Sequence, residues 1–129
     1  MNVLDENIPD SQRQLVRGWR IRVRQIGDEV GRQGMKDDEI IPLMHRLGAT
    51  TFFTRDLVFY NRHLCHTGYC LVCLAVGQYE VASFIRRFLR HPAFNTQAKR
   101  MGKVTRVSHT GIRIWQIHAE TEEGLMWPS

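Results

Sequence analysis

The run Tyr69-Cys70-Leu71-Val72-Cys73-Leu74-Ala75-Val76 carries no charge and no alternation of polar with apolar positions. A segment of that kind reads as a strand covered on both faces, which is the situation of a central strand in a parallel sheet. Gly77 closes it, and Val81, Phe84, Ile85, Phe88 and Leu89 then recur at i, i+3, i+4, i+7 and i+8. That stripe predicts an amphipathic helix with Arg86, Arg87 and Arg90 off its apolar face, stopped by His91-Pro92. A doubly covered strand feeding a helix constrains the chain to an α/β arrangement, because a parallel neighbour needs a helical crossover.

The remaining elements fit that frame. Asn2 to Asp5 holds Val3 and Leu4 before a polar break and reads as a short buried strand, followed by a helix that Pro9 opens and Gly18 ends. From Trp19 to Arg24 apolar and basic residues alternate, predicting a strand with Trp19, Ile21 and Val23 on one side and Arg20, Arg22 and Arg24 on the other. Gly27, Gly31 and Gly34 mark a loop. Asp37 begins a helix with Ile40, Ile41, Met44 and Leu47 on its apolar face, in which Pro42 is tolerated near the start and Gly48 is the stop. Thr50 to Thr54 reads as a strand. Phe94 to Met101 suggests a short helix, and Val104 to Val107 with Ile112 to Ile117 form two strands around a turn at Gly111. The order predicts a mostly parallel central sheet with helices on its faces, finished by a C-terminal antiparallel strand pair. Residues 1–118 form one domain, and 119–129 form an acidic tail that Leu125, Met126 and Trp127 are placed to anchor.

At 129 residues the chain has room for one core. Neither a leader-like start nor a stretch of about 20 apolar residues is present, so the expectation is a soluble, cytoplasmic protein with no membrane contact. Three cysteines, Cys65, Cys70 and Cys73, form no complete disulfide framework and agree with a reducing compartment. Cys70 and Cys73 lie three apart on one strand and face opposite sides, which argues for buried apolar cysteines rather than a zinc knuckle with His63 and His66. Eighteen Lys and Arg against thirteen Asp and Glu, a formal charge of +5, favour a polyanionic partner.

In so basic a chain the acidic residues are grouped. Leu4-Asp5-Glu6, Lys36-Asp37-Asp38-Glu39 and Thr54-Arg55-Asp56 each fall at the end of a strand or the start of a helix. In a parallel α/β sheet those places converge on the crevice beyond the carboxyl ends of the strands. Converging carboxylates repel unless a cation joins them, and Mg²⁺ or Mn²⁺ prefers oxygen donors. Asp5, Asp37 and Asp56 are therefore the candidate metal ligands, with Glu6, Asp38 and Glu39 as supplementary ones. Each also has a plainer use. Asp5 and Asp37 suit helix caps, Asp38 and Glu39 favour the positive end of a helix dipole, and Asp56 suits a turn. Arg55 and Lys36 stand beside these acids as phosphate-binding cations, and Arg86, Arg87 and Arg90 form a further basic set for nucleic acid.

The segments Leu4-Asp5-Glu6-Asn7-Ile8-Pro9, Lys36-Asp37-Asp38-Glu39-Ile40-Ile41 and Phe53-Thr54-Arg55-Asp56-Leu57, taken in order over residues 2–118, resemble the PIN-like nuclease domains, relatives of the VapC-type ribonuclease toxins. The resemblance implies a three-layer α/β/α sandwich whose Asp5, Asp37 and Asp56 hold Mg²⁺ or Mn²⁺ as the catalytic centre. It implies hydrolysis of RNA phosphodiester bonds to leave a 5′-phosphate, and a cognate antitoxin protein as partner; a homodimer is left open. Two positions depart from the pattern: Val58 stands where an acid is frequent two residues after Asp56, and Ala75 ends the central strand without a ligand. They motivate the alternative of a catalytically impaired nucleic-acid-binding or protein-interaction module. A DNA-processing nuclease of the same chemistry is a third class.

Overall fold

The computed structural model describes residues 1–128. Seven strands form one sheet: β1 (Asn2–Leu4), β2 (Arg24–Gln25), β3 (Thr50–Thr54), β4 (Tyr69–Leu74), β5 (Lys103–Ser108), β6 (Gly111–Gln116) and β7 (Glu123–Leu125). Their spatial order is β2-β1-β3-β4-β5-β6-β7. The first five are mutually parallel, and β6 and β7 are antiparallel to their neighbours. Every residue of β4 is buried, as its unbroken apolar run predicts for a strand with neighbours on both sides. The two edge strands are two and three residues long, which leaves little exposed ladder for another chain to pair with.

Side chains of alternating parity along the strands enter two separate clusters. Leu4, Phe53, Cys70, Val72 and Leu74 pack with residues of α1 (Asp10–Gly18) and α3 (Val81–Arg90), including Val16, Phe84, Ile85 and Phe88. Val3, Phe52, Leu71, Cys73 and Val104 pack with Ile40, Leu43 and Met44 of α2 (Asp37–Leu47). Each aromatic or aliphatic side chain fully withdrawn from water contributes about 1.5–3 kcal/mol, so these two clusters hold the sheet in place. Cys70 and Cys73 do fall on opposite sides, both buried and both free. Pro42 lies inside α2; the carbonyl its missing N–H leaves unbonded is that of Asp38, and both residues are exposed, so the unpaired group is not confined to the core. Gly48 ends α2 with φ 66°.

Two predicted elements take a different form. Trp19 to Arg24 is not a strand: only Arg24–Gln25 pairs, in register with Val3 and Leu4. The amides of Trp19 and Ile21 bond back to Leu15 and Val16 carbonyls, and Arg20 turns the chain with φ 64°. A non-glycine residue in that left-handed region costs about 1–2 kcal/mol. The side-chain alternation nevertheless sorted correctly, with Val23 buried and Trp19 and Ile21 packed on the α1/α3 cluster. The helix expected over Phe94 to Met101 shortens to α4 (Gln97–Arg100), capped by Thr96 Oγ1 accepting from Lys99 N at 3.3 Å.

The acidic tail contributes β7, which pairs with β6 through Ile112↔Leu125 and Ile114↔Glu123. Gly111, φ 154°, sits so close under the Leu125 carbonyl that a Cβ would collide with it. Trp127 Nε1 donates to the Ser108 carbonyl at 2.7 Å, and the Arg87 guanidinium lies 4.3 Å from the Trp127 ring centroid. Of the three expected anchors, Leu125 and Trp127 pack, whereas the Met126 side chain is 82% exposed. The tail's last residue, Ser129, lies outside the described residues. No helix among the described residues is long and apolar enough to cross a membrane.

Candidate active site

β1 and β3 are parallel neighbours in the register Leu4↔Phe53, so the residues that follow them leave the sheet side by side. Asp5 N donates to the Phe53 carbonyl at 2.9 Å, the last step of that ladder. α2 is the crossover between parallel strands β2 and β3, and it runs back along the sheet, so its first residue, Asp37, arrives at the same end. The outcome is one crevice of about 330 Å³ lined by Asp5, Glu6, Asn7, Ile8, Met35, Asp37, Ile40, Arg55 and Asp56. The three aspartates singled out in the sequence thus come from three separate segments to one cavity.

Thr54 links two of them. Its Oγ1 donates to Asp5 Oδ2 at 2.6 Å and accepts from Asp56 N at 3.0 Å. The other Asp5 oxygen accepts from Glu6 N at 2.8 Å. Asp56 Oδ1 accepts from Val58 N at 3.1 Å, capping a short 3-10 turn over Leu57–Phe59. Behind the crevice, buried Gln25 donates through Nε2 to the carbonyls of Asp5, Glu6 and Ile8 at 3.2, 3.3 and 2.9 Å, holding the 5–8 loop against the sheet.

Burial and mutual charge act on these carboxyls together. Loss of hydration raises the Asp5 pKa above its ordinary value; the Thr54 and Glu6 hydrogen bonds oppose that, and the charges of Asp56 and Glu6 add to it. Asp37 is raised as well, first by partial desolvation, then by the charges of Asp56 and Asp5, by a side-chain hydrogen bond with Asp56 and by Asp38. Arg55 lines the same crevice and is tethered by Nε donating to the Val76 carbonyl at 3.0 Å.

The supplementary acids do not join the group on equal terms. Glu6 lines the crevice, but its carboxylate accepts from Gly34 N at 2.9 Å and lies against Gly27, where φ is 89° and a Cβ would collide with it. Asp38 and Glu39 line a different depression, with Arg32, Pro42 and Arg46. Glu39 accepts from Lys36 N at 3.2 Å, closing the first turn of α2, and pairs with Arg32. Lys36 itself is exposed at the N-cap of α2. Val58 is 60% exposed beside Asp56, and the Ala75 amide continues the ladder to Val107 without offering a ligand. Arg86, Arg87 and Arg90 lie on α3 and line no part of the crevice: Arg86 covers the Trp19 ring at 4.6 Å, Arg87 covers Phe84 and Trp127, and Arg90 is exposed.

Among the described residues no three His, Cys, Asp or Glu side chains are close enough, as they stand, to enclose a metal ion. Asp5 is engaged by Thr54 and Asp56 by the amide of its own turn, while Asp37 and Asp56 stand within side-chain hydrogen-bonding reach of each other. The donor set itself, three carboxylates and the Thr54 hydroxyl, is of the hard-oxygen type that Mg²⁺ or Mn²⁺ prefers. Asp37 and Asp56 are both exposed, and both line the crevice. The roles of Thr54 and Gln25 were missed by sequence reasoning, which read Thr54 only as a strand residue; its place two before Asp56 was the available signal. Compared with family models, curated proteins and solved structures, the chain matches none.

Proposed function

We propose that this crevice is the active site of a metal-dependent endoribonuclease, acting as the toxin of a toxin-antitoxin pair in the cytoplasm, on a PIN-like three-layer α/β/α sandwich. The observation that carries the reading is the meeting of Asp5, Asp37 and Asp56, each from a different segment, in one cavity with a tethered arginine. An unneutralised set of carboxylates is electrostatically unfavourable, and two of them have pKa values raised partly by the others. A divalent cation relieves that repulsion.

Asp5, Asp37 and Asp56 would hold Mg²⁺ or Mn²⁺, which when bound supplies an acidified water and polarises a phosphate. The chain's own residues do the rest. Thr54 fixes the rotamer of Asp5 and the entry of the backbone into Asp56, so two ligands are oriented by one hydroxyl. Arg55, held by the Val76 carbonyl, presents a planar cation to a phosphodiester that the carboxylates alone would repel. Lys36 adds a charge at the positive end of α2, where the helix dipole also favours an anion. An antitoxin segment that fills the crevice would block the three aspartates and Arg55 together.

Purified protein is expected to cleave single-stranded RNA in Mn²⁺ and to leave a 5′-phosphate, and Asp5→Asn combined with Asp56→Asn is expected to abolish that cleavage. Undiminished cleavage by the double variant would reject the reading. Val58 and Ala75, with Asp38 and Glu39 turned elsewhere, favour as second reading a module that binds without cutting. Mn²⁺ titration separates them: the nuclease binds Mn²⁺ in an Asp5-dependent manner, and the impaired module does not.

A further inference from the structure

A second cavity, of about 600 Å³, lies at the other end of β1 and is lined by Arg17, Arg20, Arg22 and Arg24 over a floor that includes Met1, Ile21 and Val23. One carboxylate, Glu29, lines it too, and it pairs with Arg17, whose guanidinium also donates to the Val23 carbonyl at 3.1 Å. Arg20, Arg22 and Arg24 are exposed, and none forms a salt bridge with an acid of the described residues. Three guanidiniums are thus gathered without a salt bridge of their own among the described residues, the one carboxylate in the lining being paired with Arg17.

The backbone brings them there at a cost. Arg20 occupies a left-handed turn, φ 64°, where glycine is the strain-free residue, and its amide closes on the Arg17 carbonyl at 2.9 Å. The Arg22 carbonyl is pinned by Asn2 Nδ2 at 3.1 Å, and Arg24 is fixed in β2 opposite Val3. From Arg22 to Arg24 an extended chain advances about 6.5 Å, close to the phosphate-to-phosphate step of an extended nucleic-acid strand. From Asn2 to Asp5 it advances about 10 Å, so the pocket and the acidic crevice sit between one and two such steps apart along β1, the strand next to the β2 edge.

We propose that this arginine pocket is a phosphate-binding subsite for single-stranded nucleic acid, which grips the backbone of a strand whose continuation passes along the β2 edge to the acidic crevice. Choosing a phosphodiester over an acidic peptide rests on the nuclease reading above; the gathering of unpaired arginines does not. Arg20, Arg22 and Arg24 contact successive phosphates, and the guanidinium fork suits them in a way that a lysine would not.

The test is equilibrium binding of a fluorescein-labelled single-stranded RNA to the full chain in EDTA, which silences hydrolysis, over a range of salt. Arg20→Gly combined with Arg22→Gln is expected to weaken binding at least about tenfold and to flatten the plot of log affinity against log salt by about 1.4, two contacts' worth for a single strand. Its melting temperature is expected to stay level or rise, since glycine relieves the left-handed turn; circular dichroism checks that. Equal affinity and slope in the variant would overturn the proposal. So would a polyaspartate peptide that binds in an Arg20- and Arg22-dependent manner while RNA affinity is untouched, because the pocket would then belong to an acidic protein segment. Asp5→Asn with Asp56→Asn is expected to leave this binding in place. Loss of the nuclease reading alone therefore shows as absent cleavage with intact arginine-dependent binding, and loss of this one as cleavage indifferent to the arginines.

Discussion

The two ends of the parallel sheet carry opposite charge, and they carry it in different ways. At the carboxyl end, Asp5 and Asp56 are tied to a shared hydroxyl on Thr54, and the pKa of Asp5 and Asp37 rises first through loss of hydration and then because their neighbours are also acids. At the amino end, Arg20, Arg22 and Arg24 are held through their backbone, with guanidiniums exposed and without salt bridges among the described residues. The difference teaches what each end is suited to. Side-chain bonds that fix oxygen positions match a ligand with a demanding coordination shell, whereas loosely held guanidiniums on a fixed backbone match a flexible polyanion whose phosphates adjust to them.

The largest expected effect breaks the acidic end. Asp5→Asn alone is expected to lower Mn²⁺-dependent RNA cleavage by at least about 100-fold while leaving RNA affinity in EDTA undiminished or slightly higher, because the arginines are elsewhere and only a repelling charge is lost. Thr54→Val sharpens the comparison by removing only the organiser. It is expected to weaken Mn²⁺ binding by about 10–100-fold, read by calorimetry. Because the hydroxyl's donation holds the Asp5 pKa down, its loss moves the acid limb of any cleavage profile to higher pH. A Thr54→Ser control keeps the hydroxyl and is expected to recover most of the affinity.

How far these ends could be read from the chain depends on what made them. The acids were legible because strand ends and helix starts are readable, and a parallel sheet brings its strand ends together whatever the order of the strands. Which strands adjoin was not legible: Thr54 reaches Asp5 only because β1 and β3 are neighbours, a fact of sheet order rather than of local pattern. The alternation from Trp19 to Arg24 placed the correct side chains toward the core but suggested the wrong backbone, since a positive φ at Arg20 leaves the apolar spacing unchanged. β7 was missed because three residues, Glu123–Leu125, are too few to show a period, and two of them are exposed. The short α4 shows the converse problem, where propensity extends a helix that Thr96 caps late.

At the basic end a smaller effect is expected from Arg20→Gly on its own. Relief of about 1–2 kcal/mol of left-handed strain is offset by about 0.5–1 kcal/mol of added chain entropy, a net gain of about 0.5–1 kcal/mol in urea denaturation. A loss of stability would mean that the Arg20 side chain has a structural partner and that the contrast between the two ends is wrong.

The smallest effect tests whether the acids repel one another in the metal-free protein. Asp37 is raised in the folded state, so its ionised form opposes folding. That penalty is absent below the ordinary value of 3.8, grows as pH rises from there, and is complete once pH exceeds the raised folded value. Asp37→Asn is therefore expected to stabilise the metal-free protein at pH 7 by a few tenths of a kcal/mol, since the group is exposed and solvent screens it. It is expected to do nothing at pH 3, and saturating Mn²⁺ should reverse its sign at pH 7, because the ion gains more from the aspartate than the metal-free fold loses. Thermal melts of wild type and variant at the two pH values, with and without Mn²⁺, measure all four corners. A variant equally stable in every corner would mean that Asp37 is only the first residue of its helix, and that the crevice is acidic without acting as one site.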